Sequence, residues 1–449
     1  MANMIYKYLH LANYKDIPNW SVQYADEEDL GFTKKYPMAR IGSFLTRRKE
    51  AIDIQDGIIY KRVTVSTKGG NITIRDEKDG KLIGTKKQFV IHEGQFLLSK
   101  IDARNGAYGV VPAIAEGAII TGNFWTYDVD YERINPQFLT LVTKTQQFLD
   151  FAEKSSNGTT NRHYLQEEAF LNQQIPLPSI EEQKLILDDY NRHIESAIRK
   201  QYKIESLAFD SQKLICNILG IKQKVSQESE SLLQFIHLTD TNSRWDALAD
   251  IYAIESKYQI YNLGKFIIHI STGTTPPTSH SEYFDGDVKF FTPADLGNNK
   301  YLEHSSRTIS NVAVENKKAR IYHKGDILFV GIGSTVGKVG IVKDETVSSN
   351  QQITGFTIDS SKINPEYVYY YLLYNRDITT ADQSKTTLPI VNQDKICKIP
   401  IVVPPDEIQD GIVASLDKMY LEAKQNEKEI PLLEKRAFSL FEHIIFDKK

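Results

Sequence analysis

Apolar positions along this chain follow two kinds of pattern, and each kind occurs twice. Short Val/Ile/Phe/Tyr runs punctuated by glycine, such as Phe89-Val90-Ile91 and Asp326-Ile327-Leu328-Phe329-Val330, read as strands. Two long stretches instead alternate three- and four-residue spacing. In the first, Leu187, Tyr190, Ile194, Ala197, Ile204, Ala208, Ile215 and Ile218 form one seam, broken by Gln201 and Ser211. In the second, the seam is Ile412, Leu416, Met419, Ala423, Ile430, Leu433, Ala437, Leu440 and Ile444, broken by Asn426. A stripe that narrow, kept over about five heptads, marks a coiled-coil seam rather than a helix lying on a sheet. Ser179 and Glu182 form a capping box behind Pro178, which sets the start of the first helix. Pro431 is expected to kink or interrupt the second, because proline lacks the N–H and its ring crowds the preceding turn. At about 1.5 Å per residue, some 40 residues make a rod of roughly 60 Å. Two such rods satisfy each other if they pair antiparallel; the alternative is two unrelated amphipathic helices, each packed on its own domain.

The rest of the chain also repeats. Trp20 precedes Lys35-Tyr36-Pro37-Met38-Ala39-Arg40-Ile41-Gly42-Ser43-Phe44, and Trp245 precedes Lys257-Tyr258-Gln259-Ile260-Tyr261-Asn262-Leu263-Gly264-Lys265-Phe266. His92-Glu93-Gly94-Gln95-Phe96-Leu97 answers His323-Lys324-Gly325-Asp326-Ile327-Leu328, and Gly106 answers Gly337. Arg133-Ile134-Asn135-Pro136-Gln137-Phe138 answers Lys362-Ile363-Asn364-Pro365-Glu366-Tyr367. Ile175-Pro176-Leu177-Pro178 with Gln183 answers Ile401-Val402-Val403-Pro404 with Gln409. The offsets stay between 222 and 231 residues, in constant order. Each Asn-Pro opens a helix, expected over 136–148 and 365–374, since proline suits the first helical position. The fold class expected is α+β: two pseudo-symmetric, strand-rich α/β domains separated by two long antiparallel coiled-coil helices.

Composition narrows the class. No apolar run approaches the roughly 20 residues that span a bilayer, and MANMIYKYLHLANYKD is too mixed for a secretory signal. Cys216 and Cys397 stand far apart without a partner motif, which speaks against a disulfide or a cysteine zinc site and fits a reduced, cytoplasmic setting. Net charge is −4, yet residues 34–104 hold 16 Lys and Arg against 8 Asp and Glu, whereas residues 406–449 hold 7 against 10. Basic charge is concentrated in the first third, where it can meet a polyanion.

With these motifs in order, the chain resembles the specificity (S) subunits of type I restriction-modification systems. The second copy carries the likeness in Asn262-Leu263-Gly264-Lys265-Phe266, Ser271-Thr272-Gly273-Thr274-Thr275-Pro276-Pro277, Val288-Lys289-Phe290-Phe291-Thr292-Pro293-Ala294-Asp295-Leu296, Lys324-Gly325-Asp326-Ile327-Leu328, Ser384-Lys385-Thr386-Thr387 and Ile399-Pro400-Ile401-Val402-Val403-Pro404-Pro405. The first copy departs, lacking Gly-x-Thr-Pro and Thr-x-x-Asp-Leu, but its end at 175–183 matches closely. The resemblance implies a target recognition domain in each copy, each reading one half of a split DNA site. It further implies helices that dock two methyltransferase (modification) subunits, together with restriction/translocase subunits. Double-stranded DNA is then the ligand. S-adenosylmethionine, ATP and magnesium belong to the partner subunits, and this chain binds no cofactor itself. The division expected is an N-terminal extension at 1–19, recognition domains at 20–178 and 236–405, and spacer helices with linker at 179–235 and 406–449.

Catalytic motifs are not met. Thr275-Pro276-Pro277-Thr278 and Val403-Pro404-Pro405-Asp406 lack the flanking polar and aromatic residues that an adenine methyltransferase uses to hold a flipped base. The segment 331–338 misses phosphate-loop spacing and has Val339 where a magnesium-binding Ser or Thr belongs, so it reads as a turn between strands. Glu182-Gln183-Lys184 has a nuclease-like spacing, but Glu182 is explained by the cap. Ten scattered histidines contain no metal-binding pair. The expectation is a non-catalytic subunit. Candidate DNA contacts in the first domain are Lys61, Arg62, Lys68, Arg75, Lys81, Lys86, Lys87, Lys100, Arg104 and Asn105, with 61–87 as a hairpin-and-loop excursion. In the second domain they are Thr272, Thr274, Thr275, Ser334, Lys338, Asn350, Gln351, Gln352, Lys385 and Thr386. Asn and Gln suit adenine, and Arg or Lys suits guanine, in the major groove; taken singly, each is better explained as an ordinary exposed polar group than as a direct base contact. Two other functions fit the same residues: a recognition or adaptor subunit for another defence-system methyltransferase, and a scaffold that binds only proteins.

Overall fold

The computed structural model describes residues 30–67, 71–157, 164–223, 254–297, 299–380 and 389–446. The expectations for the 1–19 extension, Trp20, Trp245, Lys68, Lys385, Thr386 and most of the linker lie outside these residues. Two compact units form, Met1–Lys200 with Lys428–Lys449, and Gln201–Glu427.

Unit 1 carries β1 (Met38–Arg40), β2 (Leu45–Arg48), β3 (Glu50–Asp53), β4 (Ile59–Val65), β5 (Ile72–Asp79), β6 (Lys87–Val90), β7 (Phe96–Ser99), β8 (Tyr108–Val110), β9 (Ile119–Ile120), β10 (Phe124–Val129), β11 (Ser156–Asn157), β12 (Tyr164–Leu165) and β13 (Gln174–Pro176). A central sheet has the order β2-β10-β7-β8, and a second sheet the order β3-β6-β9-β4-β5. The expected 61–87 excursion is the long β4–β5 hairpin with the turn into β6.

Unit 2 carries β14 (Lys222–Gln223), β15 (Ile254–Glu255), β16 (Gln259–Asn262), β17 (Ile267–Thr272), β18 (Phe284–Phe291), β19 (Tyr301–Leu302), β20 (Arg307–Ile309), β21 (Ile321–Tyr322), β22 (Ile327–Val330), β23 (Val339–Val342), β24 (Val347–Ser349), β25 (Ile353–Ile358) and β26 (Pro400–Val403). Its central sheet runs β17-β25-β22-β23-β19 and its second sheet β20-β18-β24-β21. These are the unit 1 sheets with one edge strand gained and one lost. Both second sheets contain the same parallel pair, β4 with β9 and β18 with β24.

Small motifs are built twice. His92 N–H donates to Gln95 Oε1 (2.9 Å) and His323 N–H to Asp326 Oδ2 (2.8 Å), closing turns whose glycines, Gly94 and Gly325, have φ of 80° and 89°. That left-handed conformation favours glycine. Asn135 and Asn364 cap helices that open on proline, accepting from Gln137 N–H (2.8 Å) and Glu366 N–H (2.9 Å). The helix expected over 136–148 is two, Pro136–Thr143 and Gln146–Lys154, because Thr145 adopts extended ψ and caps the second through Phe148 N–H. Its counterpart, Pro365–Tyr374, is as expected.

Both long helices form, Ile180–Leu219 and Asp406–Ile445. The capping box is present: Ser179 N–H donates to Glu182 Oε2 (2.9 Å), and Glu182 N–H to Ser179 Oγ (3.3 Å). Within unit 1 the start of the first helix and the end of the second share a core, where Ile186, Leu187, Phe441, Ile445 and Phe446 pack with Phe138 and Phe170. Lys200 Nζ lies 2.6 Å from Glu429 Oε2 across that antiparallel pair. Within unit 2 the other halves pair likewise: Ile215, Leu219, Ile412 and Leu416 join Tyr367 and Tyr371 in one core, and Lys203 Nζ is 3.3 Å from Glu422 Oε1.

Of the seam residues, Leu187, Ile215, Ile412 and Leu416 are buried, and Tyr190, Ile194, Ile204, Met419, Ile430, Leu433 and Leu440 are half-buried. Ala208 does not face inward. It is exposed, and Leu207 is buried instead, since three residues on from Ile204 and four before Ser211 it continues the heptad step. Pro431 does not interrupt the second helix, which runs unbroken through it. Its ring is exposed, and the turns beyond it are anchored by Phe441 and by Phe446, which stacks on Phe32 at 4.9 Å. Tertiary packing holds the helix against the loss of one backbone bond.

Candidate nucleic-acid interface

In unit 1 the basic hairpin is partly committed to itself. Arg62 on β4 faces Asp76 on β5, with Nε–Oδ1 at 2.6 Å and a second nitrogen 2.5 Å from Oδ2. This bidentate pair holds the Asp76 carboxyl below its ordinary range. Arg75, on the next residue, is more exposed and 3.6 Å from the same carboxylate. Lys61, Lys81 and Lys87 are exposed, whereas Lys86 Nζ is held by Asp56 Oδ1 (2.8 Å) and Gly80 O (2.8 Å). Lys81, Lys86 and Lys87 therefore share the 80–87 turn.

A second group follows β7. Lys100 Nζ sits 5.5 Å from the centroid of Trp125, whose ring is also met by Arg47 at 5.9 Å. Burial first, and then Arg47, pulls the Lys100 ammonium below its usual pKa. Arg47 Nε is 2.9 Å from Glu167 Oε1, but its N–H points off that line, so the contact is an ion pair without a well-aligned hydrogen bond. Arg104 and Asn105 stand on the short helical turn Ala103–Asn105. Beside these lies a recess of about 240 Å3 lined by Arg62, Arg75, Gln88, Ser99, Asp102 and Thr121. It brings Arg62 and Arg75 of the hairpin beside Ser99, Asp102 and Thr121 and leaves the 80–87 lysines outside.

Unit 2 presents a different surface on the same frame. Thr275 Oγ1 donates to Gln351 Oε1 (2.6 Å), Asn350 Nδ2 to Gln352 Oε1 (3.0 Å), and Gln393 Nε2 to Thr272 Oγ1 (2.8 Å). Thr274 N–H donates to Ser349 O, and Gly331 N–H to Gln352 O, which draws the turn holding Ser334 to the same edge. Gly331 through Lys338 is a turn between β22 and β23, as its glycines required, and Lys338 lies beside Gly297 rather than in this group. Thr272, Thr274, Thr275, Ser334, Asn350, Gln351 and Gln352 thus form one neutral, amide- and hydroxyl-rich edge, where unit 1 is cationic.

Arg47, Trp125 and Thr121 were not among the residues singled out from the sequence. The offset that pairs 133–138 with 362–367 carries Thr121 onto Asn350, a signal the chain already held. Among the described residues no group of three His, Cys, Asp or Glu is placed to hold a metal ion, and no helix is long and apolar enough to cross a membrane. What both edges offer is hydrogen-bond donors and acceptors on a rigid sheet.

The model of the type I restriction modification DNA specificity domain matches this chain twice, over residues 24–206 and 255–434. The specificity subunit of the type I restriction enzyme MjaIX from Methanocaldococcus jannaschii is 30% identical over 219 residues, covering 45% of this chain and about half (48%) of that protein. The HindI specificity subunit from Haemophilus influenzae is 21% identical over 454 residues, 88% of this chain and 95% of its own. Among solved structures, a chain from work on complex assembly and conformational transition of the type I R-M system has a TM-score of 0.53 at 17% identity, covering 92% of this chain and 98% of that one, so it shares the fold. Both relatives are named as specificity subunits, and the matching family model is that of a DNA specificity domain. Matched twice by the family's model over most of its length, this chain belongs to the specificity subunits of type I restriction-modification systems.

Proposed function

We propose that this chain reads a bipartite DNA target, one domain per half-site, while its helices dock methyltransferase and restriction/translocase subunits. The observation that carries the reading is a joint made twice. Gln183 and Gln409 are both buried, and each amide oxygen accepts the N–H of the capping asparagine, Asn135 (2.8 Å) or Asn364 (2.9 Å). Each amide nitrogen donates to the carbonyl of the proline before the helix, Pro178 (2.8 Å) or Pro404 (2.9 Å). Identical joints fasten each domain to its helix, while the exposed edges differ in charge and residue type. A constant frame with divergent edges is what two unlike half-sites and two like partners require.

Phosphate contacts supply affinity and salt dependence, and base-edge contacts supply the code. Residues 20–178 and 236–405 act as the reading domains, and 179–235 with 406–449 as the spacer. Partners find apolar side chains standing outward on the helices, Leu185 and Ile198 in unit 1, Tyr202, Phe209 and Leu421 in unit 2. S-adenosylmethionine, ATP and magnesium reside on those partners, and the complex works in the cytoplasm. The test is exchange of residues 31–178 for those of a relative, followed by long-read methylation mapping of cells carrying all three genes. One half of the methylated sequence should change and the other persist; a change in both halves refutes modular reading.

A further inference from the structure

In both units the chain leaves the second sheet and enters the central sheet through a three-residue turn, 121–123 between β9 and β10, 350–352 between β24 and β25. At no position do the two turns carry the same residue type, yet they are held by the same four bonds. Phe124 N–H donates to Thr121 O (3.1 Å), as Ile353 N–H does to Asn350 O (3.2 Å). Asn123 N–H donates to Thr121 Oγ1 (3.4 Å), as Gln352 N–H does to Asn350 Oδ1 (3.1 Å). The carbonyl of Asn123 accepts from Lys100 N–H (2.9 Å), and that of Gln352 from Gly331 N–H (2.8 Å). Lys100 O in turn accepts from Leu165 N–H (3.0 Å), and Gly331 O from Val391 N–H (2.8 Å).

Thr121, Gly122 and Asn123 therefore stand where Asn350, Gln351 and Gln352 stand. Their backbone is fixed by neighbouring strands, so an exposed side chain on the turn is presented at little entropic cost. Asn123 and Gln351 are both exposed. Gly122 carries no side chain at the central position, which leaves Asn123 to project alone, whereas in unit 2 Thr275 steers the Gln351 amide. An amide both donates and accepts, the pattern that matches the N6 and N7 of adenine in the major groove. The cations beside unit 1's turn, Lys100 over Trp125 and Arg75 in the recess, fit the flanking phosphates.

We propose that 121–123 is the base-reading turn of unit 1 and 350–352 that of unit 2, with Asn123 and Gln351 reading base edges and Lys100 contacting phosphate. This rests on the reading of the chain as a two-half-site DNA binder. The assembled complex is tested with Asn123→Ala, Gln351→Ala and Lys100→Met, alongside the 31–178 exchange, by methylation mapping and by competition binding across a salt series. Asn123→Ala should relax discrimination about tenfold or more at one position of one half-site, with the other half and the salt slope unchanged. Gln351→Ala should act on the opposite half. Lys100→Met should leave sequence preference intact and reduce the salt slope by about one. An Asn123→Ala complex with full discrimination and an unaltered thermal midpoint overturns the proposal, as does relaxation in both halves. If the midpoint falls, Asn123→Asp, which keeps the shape and removes the donor, gives the same decision. Should the 31–178 exchange leave both halves unchanged, the two-half-site reading itself fails; should it change one half while Asn123→Ala is silent, only the turn assignment fails.

Discussion

Arg62 shows how a residue's chemistry depends on what lies across the strand. From the sequence it ranks with Lys61 as a candidate DNA contact, but in the fold its guanidinium is engaged by Asp76. Removing it should cost the hairpin a little stability, as for other exposed ion pairs, and leave the salt slope of DNA binding nearly unchanged. The triple Ala substitution of Lys61, Lys86 and Lys87 should instead flatten that slope; an identical slope excludes the patch from the interface. His92 offers a second test. Its ring lies between Glu116 (2.8 Å) and Glu50 (3.1 Å), and these hydrogen bonds, Glu116 first, raise its pKa. A raised folded-state pKa means the contribution to stability is whole below the unfolded value near 6.5 and fades as pH climbs through the higher folded value. An NMR titration of the His92 ring should find its midpoint above the ordinary histidine range and falling in Glu116→Gln. A midpoint at or below that range refutes the assignment.

At the scale of elements, the domain-to-helix joints are where strength is concentrated. In Gln409→Ala the Asn364 N–H and Pro404 carbonyl lose their buried partner, a loss of about 1–3 kcal/mol in denaturant unfolding. Unit 2 adds a charged clasp: Lys300, 3% exposed, places Nζ 2.5 Å from Asp417 on the second long helix and 3.0 Å from Glu366. At the corresponding place unit 1 has a neutral pair, Gln137 to Asn191 at 2.7 Å. Lys300→Met should destabilise unit 2 by about 3 kcal/mol, the lower end for a broken buried pair because both carboxylates keep contact with water. A loss under about 1 kcal/mol would mean that the clasp behaves as a surface pair.

For the molecule as a whole, function turns on duplication with divergence. One fold, repeated, supplies a cationic edge and an amide edge, each locked to its share of the long helices. If those helices set the gap between half-sites, inserting or deleting one heptad between Leu187 and Ile218 should change the gap in a methylation map and leave both half-sequences alone. An unchanged gap removes the helices from that role.

The sequence by itself determined the duplication, the two seams and the capping box, because these rest on local periodicity and on side chains that bond within a few residues. It also paired Gln183 with Gln409 beside the same proline segment, though not their burial or the joint they make. Only the tertiary structure decided that Leu207 rather than Ala208 faces inward, that Pro431 is carried by an unbroken helix, and that Arg62 is already occupied. Each of these depends on what a distant segment places opposite, which spacing along the chain does not encode. The bonds that fix 121–123 and 350–352 are of the same kind: they come from segments distant in sequence, so the repeat offset pairs the two turns but does not show what holds them.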